Sequence, residues 1–208
     1  MMLTLQTFKE MIATAGEAIR AEEKHFSELD AAAGGDGDHG TAIVTAFRAM
    51  EKADGADFKS YLKSLSEALQ NEACGSTSTL YGSWLQGMSD TALEGATELD
   101  AAALAKVFNG GLEELGYVTR ARIGDKTLMD ALIPATEALL SAHSQGIVVM
   151  FERAAVAAEQ GAEATCEMRA KFGRAKNLGE RSIGPRDAGA ASMACIFASF
   201  AKSLKAAS

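Results

Sequence analysis

Gly34-Gly35-Asp36-Gly37-Asp38-His39-Gly40-Thr41 is the stretch on which the fold turns. It places two carboxylates, one imidazole and four glycines in eight residues, with Asp30 just upstream. Glycine permits φ > 0 and close backbone approach, so a tight turn around Gly37 aims Asp36 and Asp38 at one point. Clustered carboxylate oxygens repel unless a cation lies between them, and hard oxygen ligands suit Mg²⁺ or Ca²⁺. What surrounds the loop decides the architecture. A phosphatase-type Asp-x-Asp would follow a buried apolar strand, and Ala31-Ala32-Ala33-Gly34-Gly35 is not one. Counted from Asp36, the fifth and twelfth positions of an EF-hand loop would be Gly40 and Phe47, which offer no ligand. Gly35 and Gly40 have Walker A spacing, but Thr41 stands where the lysine should be. The loop therefore reads as a divalent-metal turn between two helices, or as a solvated turn that only caps the second.

The flanks carry helical periodicity. Leu5, Phe8, Ile12, Ala15 and Ile19 recur at helical spacing over about Thr4 to Leu29. A second helix starts at Gly40 or Thr41 and carries Ile43, Val44, Phe47 and Met50. Asp57 is placed to cap a third, striped by Phe58, Tyr61, Leu62, Leu65 and Leu69. Leu80, Tyr81, Trp84, Leu85 and Met88 mark a fourth, after a small-residue loop from Glu72 to Thr79. Asp100 caps a fifth, with Leu104, Val107, Phe108, Leu112 and Leu115 on one face. The sixth runs from about Thr127 to Ala142, and Pro134 inside it predicts a kink or short break. The seventh spans Val148 to about Arg169; its Ile147-Val148-Val149-Met150-Phe151 is strand-like in composition, but length and context assign it to helix. Gly189 to Lys205 is the eighth. This pattern predicts an all-α protein, an eight-helix antiparallel up-and-down bundle or barrel in a single domain over residues 1–208. Alternate connections of such a bundle lie at one end. The loops near Asp36, Ser76, Asp125 and Arg181 are therefore expected to meet at one mouth.

Composition bounds the partners. A net charge of −8 argues against a nucleic-acid backbone or an anionic membrane. A nucleotide stays compatible, because metal ions bridge carboxylates to phosphates. No apolar run is long enough to span a bilayer, and the first residues lack the pattern of a signal peptide. Cys74, Cys166 and Cys195 are odd in number and far apart, which predicts reduced thiols in a cytoplasmic protein.

Three further segments carry chemistry. Cys74-Gly75-Ser76-Thr77-Ser78-Thr79 offers hydroxyls and N–H groups at a helix start, which suits phosphate or simply a cap. Gly124-Asp125-Lys126-Thr127 offers a carboxylate and an ammonium, or a salt-bridged turn. The segment from Gly173 to Gly189 concentrates cationic side chains in an acidic chain, and arginine forks suit polyphosphate oxygens. Joined at one mouth, carboxylates, hydroxyls and arginines describe a site for a metal-bound nucleotide polyphosphate and for phosphoryl transfer.

The blocks Leu29-Asp30, Gly35-Asp36-Gly37-Asp38-His39-Gly40, Leu80-Tyr81-Gly82, Gly124-Asp125-Lys126-Thr127-Leu128-Met129-Asp130-Ala131-Leu132-Ile133-Pro134, Gly173-Arg174-Ala175 and Leu178-Gly179-Glu180-Arg181-Ser182-Ile183-Gly184 resemble the L subunit of dihydroxyacetone kinase, in the same order and over nearly the whole chain. The resemblance implies an eight-helix antiparallel barrel with ADP or ATP and two Mg²⁺ at one end, phosphorylating a small ketose. By matching position it makes Asp30, Asp36 and Asp38 the metal ligands. It places His39, Gly40, Thr41, Ala42, Ser76, Thr77, Gly124, Ile133, Arg174, Asp187, Ala188 and Gly189 beside the nucleotide, with Arg174 stabilising the transferring phosphoryl group. It implies that a K subunit holds the ketose, that the donor is ATP or an ADP recharged by a phosphotransferase-system protein, and that the chain alone is a monomer or homodimer. A nucleotide-holding adaptor without turnover is the alternative of the same fold. The chain departs from the family pattern with one extra residue between Asp30 and Asp36, Ala42 for Asn, Thr79 for Pro, Pro185 for His and Ala188 for Pro. The first predicts either a bulged loop that still brings Asp30 to the metal or a displaced Asp30; the others leave a four-carbon ketose open beside dihydroxyacetone.

Overall fold

The computed structural model describes residues 2–72 and 75–207, so Cys74 lies outside the described residues. Cys166 and Cys195 are free thiols, as their spacing predicts. Among the described residues the α-helices are α1 (Leu5–Ala21), α2 (Glu23–Ala32), α3 (His39–Met50), α4 (Phe58–Gln70), α5 (Ser76–Thr91), α6 (Ala101–Val118), α7 (Met129–Ala142), α8 (Ile147–Ala164) and α9 (Ala188–Ala206). That is nine rather than eight. The first expected helix is divided at Glu22, whose φ of −101° and ψ of 8° leave the helical region. No proline or glycine marks the break in sequence. It adjoins Glu23, whose carbonyl the α3 backbone approaches so closely at Gly40 that a Cβ there would overlap it. None of the described helices is long and apolar enough to cross a membrane.

Local chemistry explains most of the boundaries. Thr4 caps α1 through Thr7 N at 3.1 Å. Asp57 caps α4 in a reciprocal box with Ser60, accepting from its backbone N–H at 2.7 Å. Asp100 caps α6 through Ala103 N at 2.7 Å. Helix α5 opens at Ser76, so part of the expected hydroxyl loop is already helix. Pro134 sits inside α7 without breaking it. The apolar Ile147–Phe151 run opens helix α8. Among the described residues the strand content is a two-residue antiparallel pairing of β1 (Leu3–Thr4) with β2 (Glu98–Leu99), too short to show as alternation in sequence.

Each helix packs on the next, and α9 returns to α1, so the ring closes on itself. Its interior is a cluster of aromatic rings. Phe108 is fully buried, with its ring 5.9 Å from Trp84, 5.4 Å from Phe151 and 6.0 Å from Phe197. Phe8 meets Phe58 at 5.4 Å and Phe200 at 6.4 Å, tying α1 to α4 and α9. At one end, β1 pairs with β2, and Phe58 N reaches Ala96 O at 2.9 Å. The connections α2–α3, α4–α5, α6–α7 and α8–α9 gather at the other.

Asp187 caps α9 from below that second end, accepting from Ala190 N at 2.8 Å. Burial pushes its carboxyl up to about 7; Asp130 and Asp30 push the same way, and the α9 N–H and Lys126 oppose them.

Two outcomes follow from this packing. Phe108→Ala opens a void at the centre of the ring and is expected to cost about 3–5 kcal/mol in urea unfolding, because a buried phenyl is lost without full collapse. Asp187, ordinarily 3.8 and about 7 when folded, binds a proton on folding between those values. Its contribution therefore favours the native state more as pH falls through that window and is lost as pH rises through about 7. Asp187→Asn keeps a capping oxygen without the titration. The stability difference, wild type minus variant, is expected to grow as pH is lowered from 8 to 5; a pH-independent difference would show that Asp187 titrates normally.

Candidate functional site

The site is built on the α2–α3 connection. Helix α2 ends at Ala32, and Gly34 takes a left-handed φ of 88° that turns the chain back. Gly35 N then bonds to Asp30 O at 2.8 Å, and Gly37 N to Asp30 Oδ2 at 2.8 Å. The extra residue after Asp30 is thus absorbed in a turn folded against the end of α2. Gly35 has no room for a side chain, because a Cβ there would overlap the Asp30 carboxylate. Asp38 occupies the N-cap of α3 but its side chain makes no capping bond. The acidic residues are therefore not spent on capping the helix. Carboxylate oxygens of Asp30, Asp36 and Asp38 lie within 4.8 Å of one another, Asp30 half-buried and the other two exposed.

These carboxylates stand at the edge of a cavity of about 420 Å³. The α4–α5 connection gives it Gly75, Ser76 and Thr77, followed by Leu80 and Tyr81 of α5. Gly75 occupies the N-cap of α5 and, being glycine, brings no side chain to the cap. The α6–α7 connection gives Thr119, Ala121 and Lys126 to Leu128; the α8–α9 connection gives Phe172 to Ala175 and Asp187 to Gly189. Arg174 forms an ion pair with Asp36 across the mouth, and both partners are substantially exposed.

Two buried groups shape the α6–α7 connection. The Asp130 carboxylate accepts from Gly124 N at 2.6 Å and Thr127 N at 2.7 Å. Lys126 has a φ of 59° and is the one non-glycine with positive φ among the described residues. It is 2% exposed, and its Nζ donates to Thr165 O at 2.5 Å and Pro185 O at 2.6 Å. Burial lowers its pKa. Asp125 pairs with Lys171 at 2.7 Å, and that bond holds its carboxyl below the usual range. The expected carboxylate and ammonium of this loop are both engaged in tying connections together.

His39 opens α3 and lines the cavity, half-buried. Its Nε2 lies 2.9 Å from Ser192 Oγ, which is also 2.9 Å from the Tyr81 hydroxyl. Burial lowers the His39 pKa, opposed by the negative charge of Asp30.

Of the residues singled out in sequence, Asp30, Asp36, Asp38, His39, Ala42, Ser76, Thr77, Arg174, Asp187, Ala188 and Gly189 line this one cavity. Gly40, Thr41, Gly124 and Ile133 do not. Gly40 is buried against α2, and the Thr41 hydroxyl points to Glu23 at 3.3 Å. Gly124 is held by Asp130, and Ile133 packs on the core. Of the basic segment, Arg186 turns away to Glu159 and Glu163 on α8. Tyr81, Leu128, Met129 and Phe172 line the cavity without having been singled out as site residues. Tyr81 was hidden in the apolar stripe of its helix; its place in the Leu80-Tyr81-Gly82 block and its position one turn from the hydroxyl loop were the signals.

Comparison with known proteins agrees with the geometry. The family model of the DAK2 domain matches residues 33–202. The chain is 33% identical over 186 residues to the ADP-binding subunit DhaL of PEP-dependent dihydroxyacetone kinase 1 from Listeria innocua, covering 88% of each. It is 34% identical to D-erythrulose kinase of Mycolicibacterium smegmatis, covering 86% of this chain but 32% of that protein. The crystal structure of dihydroxyacetone kinase from C. freundii superposes with a TM-score of 0.74 at 26% identity, over 93% of this chain and 34% of that one. The chain belongs to the DAK2 domain family, alongside the DhaL subunits of dihydroxyacetone kinases.

Proposed function

We propose that this chain is the nucleotide-binding subunit of a cytoplasmic ketose kinase. It carries ADP or ATP with two Mg²⁺ and passes a phosphoryl group to dihydroxyacetone or a related small ketose held on a separate K subunit. The observation that carries this reading is the convergence of three carboxylates within 4.8 Å at the edge of a cavity that also holds a helix N-terminus and Arg174. The names of relatives support it: one is an ADP-binding subunit, another a kinase of a four-carbon ketose. The match covers 32% of the latter, so this reading places its ketose site outside the matched segment.

The donor set fits a hard divalent cation. Asp30, Asp36 and Asp38 offer oxygens only, two of them exposed and unspent on helix capping. Bound there, Mg²⁺ would neutralise phosphate oxygens and offset charge that develops on the transferring group. The rest falls to the chain. The α5 N-terminus at Ser76 and Thr77 directs N–H donors and the helix dipole at phosphate. Arg174, which pairs with Asp36 across the mouth, would offer its planar fork to the phosphoryl oxygens. Leu80, Ala121, Leu128, Met129 and Phe172 form an apolar wall that excludes water beside the nucleotide. The two donor chemistries, free ATP and a resident ADP recharged by a phosphotransferase protein, use the same residues and are separated by assay.

Asp36→Asn or Asp38→Asn is expected to weaken Mg²⁺-dependent ADP binding by about tenfold or more, since a charged metal ligand becomes a neutral one. Calorimetry with and without Mg²⁺ reads this; full retention in both variants would remove the metal assignment. Arg174→Ala is expected to lower phosphoryl transfer by about a hundredfold or more, the scale for losing one fixed donor to developing charge. The assay mixes the chain with its K subunit and ketose, once with ATP and once with phosphoenolpyruvate and phosphotransferase proteins. Undiminished transfer by the variant would take Arg174 out of the mechanism.

A further inference from the structure

The α8–α9 connection touches the acidic turn after α2 at Arg174 and at Leu178. Arg174 pairs with Asp36. Leu178 is half-buried against Gly34, so closely that a Cβ on that glycine would overlap the leucine side chain. Gly34, at φ 88°, thus turns the chain and also leaves the space that Leu178 fills. Arg174 and Leu178 are mechanically linked. Arg174 is the N-cap of the short helical segment Ala175–Ser182, and its carbonyl accepts from Asn177 N at 3.1 Å. Gly179, at φ 59° and ψ −127°, breaks that segment directly after Leu178.

Other ties of the connection lie at its base. Ser182 Oγ accepts from Ala170 N at 2.9 Å and donates to Gly179 O at 2.6 Å. Lys171 N reaches Asp125 O at 3.2 Å. Between these ties, Arg174 is flanked by Phe172, which packs on the core, and by Leu178. The ion pair with Asp36 is a weak anchor by itself. The two side chains are 64% and 44% exposed, and exposed pairs gain little against the entropy of holding long side chains. An apolar group seated in a gap of its own shape is not screened by salt and loses contacts on any displacement.

We propose that Leu178 is a positioning residue: seated on Gly34, it fixes the backbone that carries Arg174 against the turn that carries Asp36 and Asp38. Charge stabilisation stays with Arg174 and the carboxylates, and Leu178 sets their spacing. Its part in phosphoryl transfer rests on the kinase reading; its hold on the segment does not.

Leu178→Ala, Leu178→Met and Leu178→Ala in the Arg174→Ala background are compared with the wild type. Limited trypsin digestion of the nucleotide-free chain reads the hold, through cuts after Arg174, Lys176 and Arg181. Leu178→Ala is expected to be cut there about fivefold faster or more, with other sites unchanged, because only this segment opens. Leu178→Met, of similar volume, is expected to return to the wild-type rate. Equal rates for Leu178→Ala and wild type would overturn the proposal, and so would acceleration at every site. Transfer to a ketose in the presence of the K subunit reads the second part. Leu178→Ala is expected to lower kcat about tenfold, the scale of a small misplacement, with KM for ATP changed by less than about twofold. In the Arg174→Ala background it is expected to cost nothing further, because both changes act through one group. The same loss in both backgrounds would show a structural role only and overturn the proposal. Absence of transfer by the wild type with either donor would defeat the kinase reading instead, and the digestion would still decide whether Leu178 holds the segment.

Discussion

Three carboxylates held within 4.8 Å of one another are the constraint to which the rest of the mouth answers. Two like charges at that separation repel by about 1 kcal/mol even in bulk water, and more as solvent is excluded. The chain tolerates this in three ways. Asp36 and Asp38 stay exposed, where screening is strongest. Asp30 takes a backbone hydrogen bond from Gly37. Arg174 comes from the far side of the cavity to pair with Asp36. A guanidinium in that place marks a demand for positive charge that local sequence does not supply.

The ring of helices is what delivers Arg174 there. With successive helices packed and α9 returned to α1, connections separated by more than a hundred residues become neighbours. The α8–α9 connection is long and could wander. It is fixed instead by Lys126 on the Pro185 and Thr165 carbonyls, by Gly184 N on Cys166 O at 2.8 Å, and by Ser182 Oγ accepting from Ala170 N at 2.9 Å. Each bond joins this connection, or the segment leading into it, to a fixed helix end or to another part of itself. Preorganisation of this kind lowers the ordering cost when a ligand arrives.

The legible part of the fold was the part governed by periodicity and caps. Phe58, Tyr61, Leu62, Leu65 and Leu69 predict α4 because burial on one face repeats with the helical period, and Asp57 fixes its start through bonds to its own next turn. The site was legible where glycines and acids cluster, since Asp36 and Asp38 are brought together by a turn around Gly37. The break at Glu22 was not legible, because it adjoins a contact from α3 that no residue near Glu22 announces. Nor were Tyr81 and Phe172 legible as site residues: an aromatic on an apolar stripe reads the same whether it faces the core or a cavity opening from it.

Lys126 shows most directly why the remainder escapes sequence reading. A lysine is ordinarily exposed, and a non-glycine residue ordinarily avoids positive φ. Here both preferences are overridden at one position, 2% exposed and at φ 59°. The compensation is entirely long-range: two carbonyl partners lie 39 and 59 residues away in sequence. Thr165 O also accepts from Met168 N at 3.1 Å, so what Lys126 adds is the tie between this segment and the α6–α7 connection. Local chemistry around Gly124-Asp125-Lys126-Thr127 predicts a solvated, salt-bridged turn, and the neighbour Asp125 obeys that prediction by pairing with Lys171. The buried ammonium does not, because the ring places the α8–α9 segment within its reach. A functional cavity assembled from loop ends has few backbone partners of its own, so long side chains take over the role that ladders play inside helices. Residues doing this are recruited from sequence types that look ordinary, and their role becomes visible only once the ring is closed.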